Sequence, residues 1–536
     1  MSRPVITVLV TDAHETSSFL ITINLTHFVI FRSYLGDSDR CRCQQKHNNQ
    51  WRKDFRRIGM IITEDANGAT AESRHFKEME LMKLMLKESK QEHILKYLDS
   101  TNQEQRYMLE TQLAAFNVVR VVKEYQQAVD ESTHAMRKLD PQLLLPNDVI
   151  VSSESVEEYV KKGLKAISKG ELAVVTLAGG QGTRLGSIAP KGCYDIGLPS
   201  RRSLFELQAL KIRKLGLLAS GSEAKSPLWM IMTSSATDAA TRQFFELNNF
   251  FGVLQDKIKF FVQGELPAIE PASGRLIMSS PSSLAMSPNG NGGIFEALNS
   301  TGIIDQLQKN GVKYLHVFSV DNCLVKVGDP AFIGACISRG SDCAAKSIRR
   351  TDPKEPVGVF CRRGVDKKLV VAEYSELSAE LAAAKHGEEL ALNQGNIANH
   401  FFTVDFAKKC AEKTLPYHLA TKKIPTFKEE TMEKAIIAGH KMETFIFDVM
   451  ERAERPLVYQ SRREDEFAPL KNAEGPDSPV TSRKMMMALN KRWLRDAGAD
   501  VDDEAEVEIS PLISYSGEGL EAFKGRHFGS GQHSFD

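Results

Sequence analysis

The chain has 536 residues, 42% of them hydrophobic, which is room for a sizeable core and for about two to four domains at ~100–200 residues each. Its 69 Lys and Arg balance its 69 Asp and Glu, so it lacks the basic excess of proteins that bind nucleic acid or membrane surfaces. Its 8 cysteines are scattered, with no second pair at zinc-ligand spacing to match Cys41 and Cys43, as expected of free thiols in a reducing cytosol.

Residues 1–75 read as a disordered extension. Phe19 to Phe31 is apolar but is interrupted by Thr22, Asn24, Thr26 and His27, so it is not a membrane span. Arg3 alone is a poor basic start for a secretion signal, and a cytoplasmic location is expected. Residues 76–165 form a helical region. Lys77 to Leu98 repeats an apolar face through Leu81, Leu84, Ile94 and Leu98. Thr101-x-x-Glu104 predicts a capping box for the next helix, the helical pattern runs through Met136, and Pro141 and Pro146 break it.

From Leu172 short apolar strands alternate with amphipathic helices. Leu172–Ala178, Leu228–Met232, Ile258–Val262, Tyr314–Val320, Cys343–Ile348 and Leu369–Tyr374 read as strands. Leu204–Leu218 and Thr237–Phe250 read as helices, the second capped by Ser235-x-x-Asp238. The alternation predicts an α/β domain over residues 166–440, with a central mixed, mostly parallel sheet flanked by helices. From 441 to 536 the signals weaken, and Val507–Ser514 with the Gly-rich end predicts a small β-containing C-terminal domain.

Ligands of such sheets bind beyond the carboxyl ends of the strands. Four strand ends carry suggestive residues: the loop Leu177-Ala178-Gly179-Gly180-Gln181-Gly182-Thr183-Arg184-Leu185-Gly186 with Pro190-Lys191-Gly192, then Thr233-Ser234, Gln263 and Asp321. Glycines permit positive φ and close approach, so their N–H groups can face phosphate oxygens, while Arg184 and Lys191 supply charge. The loop is neither G-x-x-x-x-G-K-[ST] nor G-x-G-x-x-G, because Leu185 stands where a third glycine would be. These features predict a nucleoside triphosphate site, against the plainer reading of a tight strand-to-helix turn. Asp321 suits Mg²⁺ or merely caps a turn. Asn322 is a weaker candidate to assist it. Cys193 is a small apolar filler rather than a reactive thiol, and His400 a hydrogen-bonded core histidine. Phe445 and Phe447 alternate as in a strand.

The glycine loop, together with Met232-Thr233-Ser234, Met286 to Gly293, Val320-Asp321-Asn322, Glu373-Tyr374-Ser375-Glu376, Gly395 to Phe402 and Pro469-Leu470-Lys471-Asn472, resembles the eukaryotic UDP-N-acetylglucosamine (UDP-N-acetylhexosamine) pyrophosphorylase family from about Met79 to beyond Lys471. The resemblance implies a Rossmann-like nucleotidyltransferase that makes UDP-N-acetylglucosamine and pyrophosphate from UTP and N-acetylglucosamine-1-phosphate. Mg²⁺ is the implied cofactor, with Mn²⁺ as a substitute, and the protein a monomer or homodimer without nucleic-acid or membrane partners. It implies catalytic roles for Arg184 and Lys191, and nucleotide contacts from Leu177, Ala178, Gly179, Gly180, Gln263, Gly290, Asp321 and Lys441. It places Asn291, Glu373, Tyr374, Asn396, Phe445 and Lys471 at the sugar phosphate and Asp321 at the metal. Family members often have Asp where this chain has Asn289. Two alternatives remain open: the same transfer to N-acetylgalactosamine-1-phosphate or glucose-1-phosphate, and a non-catalytic sugar-nucleotide sensor on the same fold.

Overall fold

Leu172–Leu177 is apolar at all but one position and buried at every one, as a strand covered on both faces must be. In the computed structural model, which describes residues 5–11, 18–24, 71–132, 140–429 and 431–536, this segment lies within an 11-stranded sheet. Its main path uses β1 (Val149–Val151), β2 (Leu172–Leu177), β3 (Leu228–Thr233), β4 (Ile258–Val262), β5 (Tyr314–Ser319), β6 (Cys343–Arg349), β7 (Gln394–Thr403) and β8 (Pro456–Ser461). The spatial order is β1-β8-β6-β7-β5-β2-β3-β4. Only β7 runs antiparallel to its neighbours on this path, so the sheet is mixed and mostly parallel as expected.

Alternate residues of β2 and β3 enter different cores. Val175, Leu177, Met230 and Met232 join one apolar cluster, while Val174, Trp229 and Ile231 join another. The parallel quartet β5-β2-β3-β4 brings the carboxyl ends of four strands to one edge. Two helices on this fold meet backbone to backbone. A Cβ on Gly163 of helix Val156–Ser168 would lie 2.1 Å from Pro330 O, and one on Gly334 of helix Pro330–Arg339 would lie 1.8 Å from Tyr159 O.

Several predicted boundaries move for local reasons. The helix Ala71–Glu88 stops before Ser89, because buried Gln91 spends its amide on Gly274 O (3.1 Å) and accepts from Leu276 N (2.8 Å). The cap of helix Gln103–Ala114 is Asn102, which accepts from Gln105 N at 2.9 Å; Thr101 instead donates to Tyr97 O at 2.6 Å. Helix Asp238–Leu247 begins after Thr237, with no cap from Ser235, and Asp238 accepts from Thr233 Oγ1 at 2.6 Å. Leu369–Ala372 is the return strand of a hairpin with Val359–Arg363 rather than a rung of a β–α alternation. Beyond residue 441 the pattern hid a sheet strand, β8, and the helix Pro479–Asp496, capped by Ser478. The expected small β piece forms where Ala505–Ile509 pairs in parallel with Gly531–Phe535.

By contact the chain divides into two compact units. One comprises residues 1–126, 267–285 and 421–440; the other comprises 127–266, 286–420 and 441–536. The division expected at 165/166 falls inside the second unit, where β1 and β2 share one sheet, whereas 440/441 is a junction between the two units. Within the first unit Ala268, Ile277, Ala285 and Ile424 share a small core, and Tyr125 Oη lies 3.0 Å from His440 Nδ1. Of residues 1–75, Val5–Thr11 and Ser18–Asn24 pair antiparallel, and Cys41 and Cys43 lie outside the described residues. Among the described residues no helix is long and apolar enough to cross a membrane.

Candidate functional site

Every candidate site residue lies in the second unit. The glycine loop leaves β2 and is tied across the end of β3: Ala178 N donates to Met232 O (2.8 Å), and Ser234 Oγ donates to Gly179 O (2.8 Å). Gly179 packs tightly on Gln263: a Cβ there would sit 3.3 Å from the end of the Gln263 side chain, which would have to give by a few tenths of an ångström. Positive φ, expected of the loop in general, occurs only at Gly186 (+73°). The loop doubles back, with Gly182 N donating to Ala189 O (3.0 Å) and Lys191 N to Gly180 O (3.1 Å). The amides of Gly179 and Gly180 donate to no described residue. Arg184 is exposed on a single helical turn, Thr183–Leu185, which buried Leu185 anchors, and it forms no ion pair with a described residue.

Lys191 Nζ lies 2.9 Å from Asp321 Oδ2, joining the loop to the turn after β5. The other Asp321 oxygen accepts from no described residue. Leu470 N donates to Asp321 O at 2.8 Å. Asn322 is a buried staple rather than a helper at the carboxylate. Its amide donates to Glu466 O (2.7 Å) and its carbonyl accepts from Ala468 N (3.0 Å) and Leu324 N (3.3 Å). Beneath it, fully buried Lys346 holds both Glu466 oxygens at 2.9 Å and Asp329 at 2.5 Å, so the buried charges are compensated. No cluster of three or more His, Cys, Asp or Glu among the described residues could hold a metal ion by itself. Burial pushes the Cys193 thiol up to about 12, which makes it inert filler.

The second glycine loop packs on the segment before a 3-10 helix, Ile446–Arg452. Gly290 has φ +87° and no room for a Cβ, which would sit 2.4 Å from Thr444 O. Thr444 N donates to Asn289 O (2.8 Å), Gly292 N to Thr444 O (2.9 Å), and Ile446 N to Asn291 Oδ1 (2.9 Å). The Asn291 amide N–H groups donate to no described residue. Asn289 N donates to Gly264 O (3.0 Å), beside Gln263, and the Asn289 side chain donates to Glu296 (3.4 Å). Phe445 and Phe447 do not alternate on a strand. Lys434–Glu443 ends before them, half-buried Phe445 precedes the 3-10 helix, and Phe447 enters the core.

Glu373 follows the return strand Leu369–Ala372. A Cβ on Gly358 would touch its Oε1 at 2.9 Å, while Gly358 O accepts from Asn396 N at 2.8 Å. Burial raises the Glu373 pKa, Glu376 adds to the rise, and His418 and Lys471 oppose it. Asn396 Oδ1 accepts from Ala398 N (3.0 Å), and Ala398 holds φ +52° where the β6–β7 register shifts. Lys471 is tied by its amide to Asp477 O (2.7 Å), with Nζ 3.8 Å from Asp477. His400, expected to be hydrogen-bonded, is buried with neither ring nitrogen partnered, and burial depresses its pKa to about 3. His418 and Asp448 were not anticipated. His418 Nε2 lies 2.9 Å from Asp448 Oδ2, and its ring stacks on Phe445 with centroids 4.2 Å apart. No periodicity marks such a pair; only their adjacency to Phe445 in the fold does.

These contacts form an open chain, which runs from His418 and Phe445 through Thr444, Gly290, Asn289 and Gly264 to Gln263 and Gly179, then Gly180, Lys191, Asp321 and Leu470. Glu373 lies apart from it, within reach of the charges of His418 and Lys471. Arg184 and Tyr374 are exposed and Lys441 is half-buried.

Residues 118–524 match the family described as UTP–glucose-1-phosphate uridylyltransferase. The chain is 43% identical over 393 residues to the UDP-N-acetylglucosamine pyrophosphorylase of Saccharomyces cerevisiae, covering 71% of this chain and 81% of the yeast protein. It is 39% identical over 468 residues to UDP-N-acetylglucosamine diphosphorylase 2 of Arabidopsis thaliana, covering 83% and 91%. Among solved structures, the uridine diphosphate N-acetylglucosamine pyrophosphorylase from Trypanosoma brucei in complex with inhibitor superposes with a TM-score of 0.74 at 30% identity, covering 85% of this chain and 95% of that one.

Proposed function

The chain belongs to the UDP-N-acetylglucosamine pyrophosphorylase family, and on that premise we propose that it transfers the uridylyl group of UTP to N-acetylglucosamine-1-phosphate and releases pyrophosphate. The observation that supports the reading at the level of the site is the chain of contacts that links the first glycine loop and its Lys191–Asp321 pair, through Gln263 and Asn289, to the second glycine loop and the Phe445–His418 stack.

Two anions must be brought together, so charge neutralisation and in-line alignment carry the catalysis. An oxygen of the sugar phosphate attacks the α-phosphorus, the α–β bridging bond breaks, and the electron pair leaves on pyrophosphate. The attacking phosphate is already ionised, so no general base is required. Arg184, exposed and without an ion pair to a described residue, is suited to the β- and γ-phosphates as they depart; Lys191 suits the α-phosphate. The unengaged amides of Gly179 and Gly180, with Leu177, Ala178 and Gln263, line the place for uracil, and Gly290 and Lys441 complete the nucleotide side. Asn291, Glu373, Tyr374, Asn396, Phe445 and Lys471 serve the sugar phosphate.

Asp321 offers a single uncommitted carboxylate oxygen, which fits Mg²⁺, a cation that typically takes one or two carboxylates and fills its shell with phosphate oxygens and water. A divalent ion held at Asp321, Mg²⁺ or Mn²⁺, would supply charge neutralisation for the phosphates.

The test is pyrophosphate release from UTP and Mg²⁺ with N-acetylglucosamine-1-phosphate, N-acetylgalactosamine-1-phosphate and glucose-1-phosphate. The expected result is fastest release with the first and none in the presence of chelator. Release with glucose-1-phosphate alone would reassign the sugar pocket. Tight UTP binding without release from any of the three would identify a sensor.

A further inference from the structure

We propose that His418 is a positioning residue for the sugar substrate which, through Phe445, sets the preference for hexose-1-phosphates bearing an N-acyl group. The inference rests on the uridylyl-transfer reading above, but its geometry stands apart from it. His418 opens the strand His418–Phe427, and Asp448 lies in the 3-10 helix Ile446–Arg452. The imidazole Nε2 is 2.9 Å from Asp448 Oδ2, and that same oxygen accepts from Phe445 N at 3.4 Å. One carboxylate therefore grips both the histidine ring and the backbone of the residue the ring stacks upon.

The stack is close and nearly flat, with centroids 4.2 Å apart and planes at 28°. Phe447 adds a second ring contact at 5.1 Å, and Asn291 holds Ile446 N, one residue beyond Phe445. The χ2 torsion of a phenylalanine is broad when nothing packs on the ring. Here the imidazole fixes its plane. An aromatic face so held is an apolar platform for the C–H groups of a sugar ring and for an acetamide methyl. A hydroxyl at that carbon leaves the platform uncovered, so the ring's orientation becomes a term in substrate choice. The hydrogen-bonded atoms of His418 and Asp448 are committed to each other and to Phe445, so the dyad is cast as a clamp rather than as an acid–base pair.

The experiment uses the full chain and the variants His418→Ala, His418→Phe and Asp448→Asn. KM and kcat are measured for N-acetylglucosamine-1-phosphate and glucose-1-phosphate at saturating UTP, and KM for UTP at saturating sugar phosphate. His418→Ala is expected to raise KM for the N-acetyl sugar about fivefold to tenfold, the scale of one lost aromatic contact. KM for UTP should move by less than about twofold, because the nucleotide side is not part of the clamp. The N-acetyl preference in kcat/KM should fall in step. His418→Phe, which keeps a flat ring on Phe445, should recover most of that preference. Should His418→Ala not fold, Asp448→Asn is expected to shift the sugar KM in the same direction and leave that of UTP. Equal rises in both KM values, or an unchanged preference, would overturn the proposal while leaving the transfer reading intact. A wild-type chain that releases no pyrophosphate from any sugar phosphate would instead sink that reading.

Discussion

At the phosphate end of the site the positive charge faces solvent: Arg184 is exposed, with no ion pair to a described residue, and Lys191 meets one partly exposed carboxylate. At the sugar end the charged groups are drawn inward, with Glu373 desolvated and Asp448 spent on His418 and the Phe445 amide. The first arrangement suits a ligand that brings charge of its own and departs in two pieces. The second suits a neutral ring whose hydroxyls and amide must be matched by shape and by fixed hydrogen-bond partners. One site thus contains a half that becomes complete only when the triphosphate arrives and a half that is complete beforehand.

The largest effect expected is at the open half. Arg184→Ala should lower kcat by about 10²–10³-fold, the scale of removing one group aimed at developing charge, while UTP affinity measured by calorimetry changes little. Equal loss in rate and affinity would make the arginine a mere binding group and erase the distinction between the halves.

An intermediate effect concerns β7, the strand that carries Asn396 at the closed half. His400 on this strand and His316 on β5 are held neutral by burial, with pKa values of about 3 and about 4. Both lie below the unfolded value near 6.5. Their stabilising contribution is therefore complete above pH 6.5 and is lost as the medium is acidified toward pH 4 and then 3, because the unfolded chain binds protons that the native one refuses. The slope is about 1.4 kcal/mol per pH unit for each histidine in that window. Thermal midpoints recorded from pH 7 downward should trace it. His400→Phe, which keeps the parallel ring contact to Phe402, should flatten the curve; an unchanged slope would show that His400 titrates freely.

The smallest effect belongs to Cys193, near the phosphate loop. Cys193→Ser should leave kcat within about twofold, and iodoacetamide should not label Cys193 in the native protein at pH 8. Rapid labelling would mean that the thiol is open to the site.

How legible each half was follows from the same contrast. The phosphate half was readable because its residues are contiguous: Leu177 to Lys191 spans one loop, and the parallel order that aligns it with Gln263 and Asp321 follows from alternating strands and helices. Even there positive φ is confined to Gly186, and Gly179 instead packs tightly on Gln263. The sugar half draws on separate segments around Glu373, Asn396, His418 and Asp448, and its defining contact joins residues with no spacing rule between them. The strand β8 escaped notice for a related cause. Pro456-Leu457-Val458-Tyr459-Gln460-Ser461 has only three apolar residues in a row, and its pairing on both sides within the sheet, not its composition, makes it a strand. The same holds for Thr101 and Ser235: Asn102 accepts from Gln105 N in place of Thr101, and Thr237 Oγ1 accepts from Ser234 N just past the end of β3.

The reciprocal glycines Gly163 and Gly334 have a consequence for how this chain can drift in evolution. Each occupies a spot where a single methyl group would collide with the main chain of the other helix, at 2.1 Å and 1.8 Å, so neither collision can be relieved by trimming a side chain opposite. No compensating second change is available; the helices would have to separate. One of them begins at Asp329, whose carboxylate holds Lys346, which holds Glu466 beneath the staple that carries Asp321. In a saturation-mutagenesis map these two positions should be blank for every substitution, alanine included, although neither is among the candidate site residues.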